Sequence, residues 1–249
     1  GLVALQLFAD AVDVRAHLLI FLKKLHNRLP RAEQAGEEAG FAVRVQRVHV
    51  EALSHDMVIE RSAEAMAQGH IVARFERGSE YGPRALGHRS ILADPAYEGM
   101  RDIINARVKF RERFRPFAPV IPEEDVNTVF EQTEASPFML LVARIRPEFH
   151  ERIPAVTHCD GSGRVQTANA EDNPYAHALC RRLAELRGDP PVILNTSYNV
   201  AGQPIVETPE EAIETFLETD IDFLCLEDYW VTKKSAPVRS YEEHLNKIA

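Results

Sequence analysis

Apolar positions along the chain switch repeatedly between a helical period and short strand-like runs. Helical spacing recurs at residues 56–69, 100–108 and 174–187, and Thr208-Pro209-Glu210-Glu211 opens another helix with a capping box. Between these segments, short apolar runs bounded by turn residues predict strands. The predicted strands are residues 71–75, 138–145, 164–168, 192–194, 223–226 and 229–232. This alternation predicts an α/β or mixed α+β fold, with a twisted open sheet flanked by helices.

Several finer expectations follow from the same pattern. Asp56 is the expected cap of the first of these helices, and Leu186 is expected to face inward on the helix over residues 174–187. The continuous apolar run at 138–145 is typical of a central strand. Three closely spaced prolines are expected to end regular strand pairing. They are Pro116, Pro119 and Pro122.

The chain divides into three parts. Residues 1–54 are an N-terminal extension or the remnant of a preceding domain, with helical spacing in 1–29 and a small, acidic linker at 31–42. Residues 55–234 form one domain, and 235–249 form a tail. Charged residues interrupt the apolar N-terminus and no run of eighteen apolar residues occurs, which predicts a cytoplasmic protein without a membrane span. The three cysteines include no C-x-x-C pair, so neither a disulfide framework nor a zinc site is indicated.

Charge is concentrated in one stretch. The chain carries a net charge of −9, but residues 77–119 hold nine basic and five acidic residues. A positive island in an acidic protein is typical of a site for a small anion, with phosphate as the first candidate. The acidic balance disfavours nucleic acid as a partner, since its binders present extended basic faces.

Within this island, cations and aromatic residues alternate. The cations are Lys109, Arg111, Arg113 and Arg115, and the aromatic residues between them are Phe110 and Phe114. Alternation predicts an extended segment whose aromatic side is anchored while its cationic side faces a ligand. Arginine forks and a lysine point charge together suit a polyphosphate. An exposed basic strand is the alternative. Upstream, Gly82-Pro83-Arg84 predicts a tight loop whose N–H groups approach an anion.

Polar side chains follow the buried strand at 192–194. Asn195, Ser197 and Asn199 are placed either to contact a ligand or to cap a turn. Arg164 and Gln166 share one face of the strand at 164–168. The adjacent His158 and Cys159 point apart on an extended segment, so structural roles are favoured over a nucleophile or metal site.

Four motifs in this order carry a resemblance to a known family. They are EYGPRALGHRSILADP, NARVKFRERFRPFAP, IPAVTHCDGSGRVQTA with EDNP, and VILNTSYNVAGQPIV followed by TPEEAI. Over about residues 55 to 234 they resemble the C-terminal domain of the O-carbamoyltransferases, which include nodulation and antibiotic-biosynthesis enzymes. The resemblance implies a fold similar to YrdC.

The resemblance also implies an activity. In the family this domain activates carbamoyl phosphate with ATP and Mg²⁺, giving carbamoyl-adenylate and pyrophosphate. The carbamoyl group then passes to a hydroxyl of a small-molecule acceptor in an N-terminal domain of the actin-like ATPase superfold, for which this chain has no room. Two alternatives stay open: a non-catalytic nucleotide- or RNA-binding module on the same fold, and an inactive fragment.

Site residues carried over from the motifs fall into groups. The resemblance implies that Lys109, Arg111 and Arg115 grip phosphates. It implies that Arg164 and Asn195 hold carbamoyl phosphate or its carbamoyl group, and that Ser197 and Asn199 contact the phosphate or sugar of the nucleotide. Arg84 is a further anion-binding candidate. No metal ligand is assigned, although Asp160 and Glu80 are candidates for organising Mg²⁺. His88 departs from the pattern, where asparagine is usual.

Overall fold

A computed structural model of the chain describes residues 47–188 and 190–235. Nine strands form one mixed sheet in the order β1-β9-β8-β2-β3-β7-β4-β6-β5. The strands are β1 (Val48–Ala52), β2 (Val72–Phe75), β3 (Arg89–Ala93), β4 (Ala118–Pro122), β5 (Leu141–Arg144), β6 (Ser162–Ala168), β7 (Ile193–Ser197), β8 (Phe223–Leu226) and β9 (Tyr229–Lys233). The helices are α1 (His55–Ala67), α2 (Met100–Arg107), α3 (Val126–Val129), α4 (Pro174–Arg187) and α5 (Pro209–Glu218). The predicted fold class is confirmed.

Strand pairing is mostly antiparallel, with β2–β8 and β4–β6 as the parallel pairs. The sequence pattern missed β1, β3 and β4. Strand β1 pairs with β9, so the sheet begins at Val48, before the expected boundary at residue 55. The helical spacing at 1–29, the linker at 31–42 and the tail beyond 235 lie outside the described residues, so those assignments stay predictions.

The expectation that the prolines end strand pairing is wrong, because two of them lie within β4. Pro119 pairs with Leu194 of β7 and precedes the first pair with β6. Pro122 pairs with Ala168 of β6 and follows the last pair with β7. Each proline is therefore paired on one side only, which a residue without an N–H donor tolerates.

The run at 138–145 does not form a central strand. Only Leu141–Arg144 is a strand, and it lies at the edge of the sheet, paired with β6 alone. Leu140 is 79% exposed and Val142 is 62% exposed. Met139 has a positive φ of 55°, which interrupts the run before the strand begins. Continuous apolar character alone does not distinguish this edge strand from a buried one.

Two hydrophobic cores lie on opposite faces of the sheet. One, next to α1 and α4, includes Leu92, Val120 and Ile193. The other includes Ile103 of α2 and Phe216 of α5. Within the described ranges, no helix has the length and apolar character needed to cross a bilayer.

The helix ends show which local signals were reliable. The capping box at Thr208 and Glu211 is present as predicted. Helix α1 is capped by Ser54, whose hydroxyl accepts a hydrogen bond from Met57 N, and not by Asp56, which lies in the first turn. Leu186 is exposed rather than inward, because it lies in the last turn of α4 beyond the buried Leu179 and Leu183.

Candidate functional site

The candidate site lies on one face of the sheet, where β7 ends. Asn195 of β7 is directly opposite Ala118 of β4, and Val120 of β4 is opposite Gln166 of β6. Residues opposite one another share a face, and so do alternate residues of a strand. Asn195, Gln166 and Arg164 are therefore on the same face of the sheet, together with Ser197, and we call it the site face. Strand register thus groups side chains that are far apart in the chain.

A set of amide side chains ties the β2–β3 loop to this face. Asn195 Nδ2 donates to Ala85 O at 3.0 Å and to Gln166 Oε1 at 2.8 Å. Gln166 Nε2 donates to Leu86 O at 2.6 Å, and Asn173 Nδ2 donates to the same carbonyl at 2.7 Å. The loop of the Gly-Pro-Arg motif is therefore held against the sheet by amide side chains from β6, β7 and the N-cap of α4.

The same loop is closed by its own polar groups. Glu80 Oε1 accepts hydrogen bonds from Leu86 N and His88 N, each at 2.7 Å. The buried Arg89 guanidinium donates to the carbonyls of Glu76 and Arg77 at the start of the loop. The loop positions Arg84, which is exposed. Glu80 therefore stabilises the closed conformation of this loop.

In the part of the chain that the structure describes, no group of three or more His, Cys, Asp or Glu residues is placed to hold a metal ion. Asp160 Oδ1 accepts from the Ser162 N and Oγ at 3.0 and 2.6 Å, so this carboxylate also stabilises a turn. Cys159 is exposed and has a free thiol. Burial lowers the pKa of His158.

Two buried polar atoms on the site face have no hydrogen-bond partner within residues 47–188 and 190–235. They are the acceptor Asn195 Oδ1 and the donor Arg164 Nε. Burial, followed by the positive charge of Arg84, lowers the pKa of Arg164. Buried polar groups in native proteins almost always have partners, so this acceptor and this donor are candidates for contact with a ligand.

Lys109 is buried beside the end of β7 and is only 3% exposed. Its ammonium donates to Ser197 O at 2.8 Å, Asn199 O at 2.9 Å and Asn199 Oδ1 at 2.7 Å. Burial, with a smaller contribution from Arg111, lowers the pKa of Lys109 to about 7. Ser197 Oγ donates to Asn199 Oδ1 at 2.7 Å. The structure thus brings together three of the sequence-predicted site residues.

The cationic segment is not extended, and the expected roles of its two faces are wrong. Residues 109–117 form an irregular loop after α2, and Phe110 has a positive φ of 48° that breaks the alternation. Phe110 and Phe114 are exposed, whereas Lys109 is buried. The segment is anchored by Phe117, over whose ring the Arg111 guanidinium lies at 5.0 Å.

Asn105 of α2 organises this loop, and the sequence pattern did not single it out. Its Nδ2 donates to the carbonyls of Arg113 and Arg115 at 3.1 and 2.9 Å, while its Oδ1 accepts from Arg111 Nε at 2.7 Å. Burial, followed by the charge of Arg115, lowers the pKa of Arg111. Arg115 is exposed and pairs with Glu112 at 3.0 Å. Arg111 is therefore fixed in place, and Arg115 lies at the solvent side.

Gln166 and Asn173 were also missed as site residues. The alternation along β6 places Gln166 on the same face as Arg164. An asparagine before Pro174 is an N-cap signal, and this signal does not indicate that the side chain also makes a second contact. Asn173 Oδ1 caps α4 through Ala176 N while Nδ2 reaches Leu86 O. Neither sequence signal reports a contact between residues so distant in the chain.

Comparison with known proteins assigns most of the described chain to one family. The carbamoyltransferase C-terminus family model matches residues 63–233. The nodulation protein NolNO of Sinorhizobium fredii is 41% identical over 191 residues, covering 76% of this chain and 28% of that protein. The 3'-hydroxymethylcephem-O-carbamoyltransferase of Streptomyces clavuligerus is 38% identical over 168 residues, covering 68% of this chain and 32% of that protein.

Two further matches carry little information about function. The Synechocystis protein sll1178 is 38% identical over 210 residues, covering 76% of this chain and 34% of that protein. The crystal structure of full-length HypF in the phosphate- and nucleotide-bound form has a TM-score of 0.49 at 20% identity, covering 69% of this chain and 25% of that one, a likeness too weak to indicate function. The chain spans about a third of the length of the curated relatives it matches.

Proposed function

Because the chain belongs to the carbamoyltransferase family, in the region described as its C-terminus, we propose that it activates carbamoyl phosphate with ATP for carbamoyl transfer. Carbamoyl phosphate and water give carbamate and inorganic phosphate. A carbamate oxygen then attacks the α-phosphorus of ATP, forming carbamoyl-adenylate and releasing pyrophosphate. Relatives named as O-carbamoyltransferases support carbamoyl transfer as the overall reaction.

The observation that carries this proposal is the unpaired acceptor and donor on the site face. Carbamoyl phosphate has an amide N–H₂ at one end and phosphate oxygens at the other. Asn195 Oδ1 accepts a hydrogen bond from the amide, and Arg164 Nε donates to a phosphate oxygen, so one ligand satisfies both buried atoms. Arg84, the neighbour that lowers the pKa of Arg164, adds a second positive charge for the same phosphate.

The second group of residues suits the ATP phosphates. Lys109, Arg111 and Arg115 lie along the loop after α2, with Ser197 and Asn199 in contact with the lysine. Phosphoryl-type chemistry depends on positioning and charge stabilisation more than on covalent catalysis by the protein. Ser197 and Asn199 already accept the three N–H groups of Lys109, so this desolvated lysine acts on the phosphates through its charge, which an arriving anion stabilises. Mg²⁺ in such sites is held largely by the nucleotide's own phosphate oxygens.

Transfer to the acceptor requires more than the described residues. We infer that carbamoyl-adenylate passes to an N-terminal domain of the actin-like ATPase type, where a hydroxyl of a small-molecule acceptor attacks the carbamoyl carbon and AMP leaves. A cytoplasmic location fits a supply of carbamoyl phosphate and ATP. The relatives' length beyond the matched region leaves room for such a domain.

The experiment that tests the proposal is carbamoyl-phosphate-dependent exchange of labelled pyrophosphate into ATP, with Mg²⁺ present. We expect exchange with the unmodified chain and a large loss in Arg164→Met. Arg101→Met is the matched control, because Arg101 lies on α2, which packs on the other face of the sheet. ATP binding without exchange would replace the proposal by a non-catalytic nucleotide-binding module, and no ATP binding would favour an inactive fragment.

A further inference from the structure

We propose that Gln166 is a positioning residue that fixes the amide of Asn195 with its oxygen toward the ligand and so makes the site select acyl phosphates that carry an N–H. This inference rests on the proposed function, since it concerns the group that the same site recognises. It assigns the preference for carbamoyl over acetyl groups to a residue that would not itself touch the substrate. Gln166 and Asn195 are both buried.

The orientation of Asn195 follows from its two donors. Asn195 Nδ2 has two N–H groups, and they are used by Ala85 O at 3.0 Å and Gln166 Oε1 at 2.8 Å. A flipped amide would place its oxygen against two other acceptors. The bonded orientation therefore leaves Oδ1 as the one group of this side chain without a partner in the described ranges.

The orientation of Gln166 is fixed in turn by the β2–β3 loop. Gln166 Nε2 donates to Leu86 O at 2.6 Å, so its oxygen must be the atom that faces Asn195. Asn173 Nδ2 donates to the same carbonyl at 2.7 Å, which fills both lone pairs of Leu86 O. A backbone carbonyl can only accept, and it cannot flip as an amide can. Leu86 O therefore fixes which end of the Gln166 amide faces it, and Gln166 Oε1 in turn fixes which end of the Asn195 amide faces Gln166.

This direction has a consequence for specificity. A carbamoyl group supplies an N–H to Asn195 Oδ1, whereas an acetyl group of similar shape presents a methyl group and leaves the buried oxygen unpaired. Sites built to bond a polar group discriminate strongly against analogues that lack it, because their own buried group loses its partner. Without Gln166, the Asn195 amide has only Ala85 O to hold it, and the flipped orientation no longer opposes two acceptors.

The test compares two stable ligands of matched shape. Phosphonoacetamide carries the amide N–H₂, and acetonylphosphonate carries a methyl group in its place. Dissociation constants for both are measured by calorimetry with the full chain and with Gln166→Met, Gln166→Glu and Asn173→Ser. Gln166→Glu keeps an acceptor for Asn195 Nδ2. Asn173→Ser keeps an N-cap for α4 and removes a hydrogen bond to Leu86 O without touching Asn195.

We expect the unmodified chain to prefer the amide ligand by about tenfold or more, which is about 1.4 kcal/mol. In Gln166→Met the ratio of the two affinities moves toward one, while Gln166→Glu and Asn173→Ser keep it. A loss of loop order alone would affect both ligands and would appear in Asn173→Ser as well. Should Gln166→Met fail to fold, Gln166→Ala removes the same acceptor.

Two results overturn the inference while leaving the proposed function standing. One is an unchanged ratio in folded Gln166→Met or Gln166→Ala. The other is equal affinity of the unmodified chain for both ligands with pyrophosphate exchange intact. If the unmodified chain binds neither ligand and shows no exchange, the proposed function fails and this inference fails with it.

Discussion

Replacing Arg164 by methionine should weaken anion binding without weakening the fold. Arg164 is partly buried on β6, its Nε has no hydrogen-bond partner among the described residues, and Arg84 is a nearby like charge. A buried N–H without a partner costs folding free energy, so methionine, with a similar unbranched stem, removes that cost and keeps most of the packing. The free energy of unfolding should stay within about 0.5 kcal/mol of the unmodified value or increase.

The same substitution should lower the affinity for phosphate-containing ligands, although it does not lower stability. A charge-assisted hydrogen bond to a phosphate oxygen contributes about 1.5–3 kcal/mol, which corresponds to a roughly 10- to 150-fold loss of affinity. Calorimetric titration with phosphonoacetamide measures this loss, and urea unfolding measures stability on the same sample. A substitution that preserves or raises stability but lowers ligand affinity is typical of a residue whose role is functional and not structural.

Two controls make the result decisive. Arg101→Met should change neither quantity appreciably, since Arg101 is half-exposed and pairs only loosely with Asp102 at 3.5 Å. Raising the salt concentration should weaken binding by the unmodified chain more than by Arg164→Met. A variant that loses several kcal/mol of stability while binding phosphonoacetamide normally would refute the reasoning and make Arg164 a structural residue.

The remaining predictions concern Lys109 and Asn105. The folded-state pKa of Lys109 is lowered to about 7, so between pH 7 and the higher pKa of the unfolded chain the unfolded state binds more protons. Stability should therefore rise with pH across that window relative to Lys109→Met; urea titrations at several pH values that show parallel curves for both proteins would contradict this. ATP affinity should fall as pH rises above 7, because phosphate favours the charged lysine, and calorimetry in buffers of different ionisation enthalpy should detect proton uptake on binding. Asn105→Leu should cost about 1–3 kcal/mol of stability, since it removes the buried amide that donates to the carbonyls of Arg113 and Arg115 and accepts from Arg111 Nε. Unchanged urea unfolding and unchanged ATP affinity would exclude its role in the loop.

Local signals in the sequence predicted the elements whose ends are set by nearby residues. The capping box at Thr208, the helix that begins at Pro174 and the strand that leads into Asn195 are all present. Each is decided by contacts within a few residues, which period and capping rules describe well. The grouping of Arg164 with Gln166 also followed from strand alternation.

What the sequence could not supply depends on distant contacts or on single backbone angles. The positive φ of Phe110 turns an apparently alternating segment into a loop and buries Lys109 instead of the phenylalanine. No local pattern reports that β4 accepts Pro119 because one side of that residue needs no pairing. The hydrogen bond from Gln166 to Leu86 joins residues 80 positions apart, and only the strand order brings them together. The candidate residues could therefore be named from the sequence, but their arrangement could not.

The most direct test of the account is a crystal structure of the chain with phosphonoacetamide and a non-hydrolysable ATP analogue. The account predicts that the ligand's amide nitrogen lies within hydrogen-bond distance of Asn195 Oδ1 and its phosphonate against Arg164 Nε, with the nucleotide phosphates beside Lys109 and Arg111. A ligand bound on another face of the sheet, or Asn195 Oδ1 and Arg164 Nε still without partners in the complex, would contradict it.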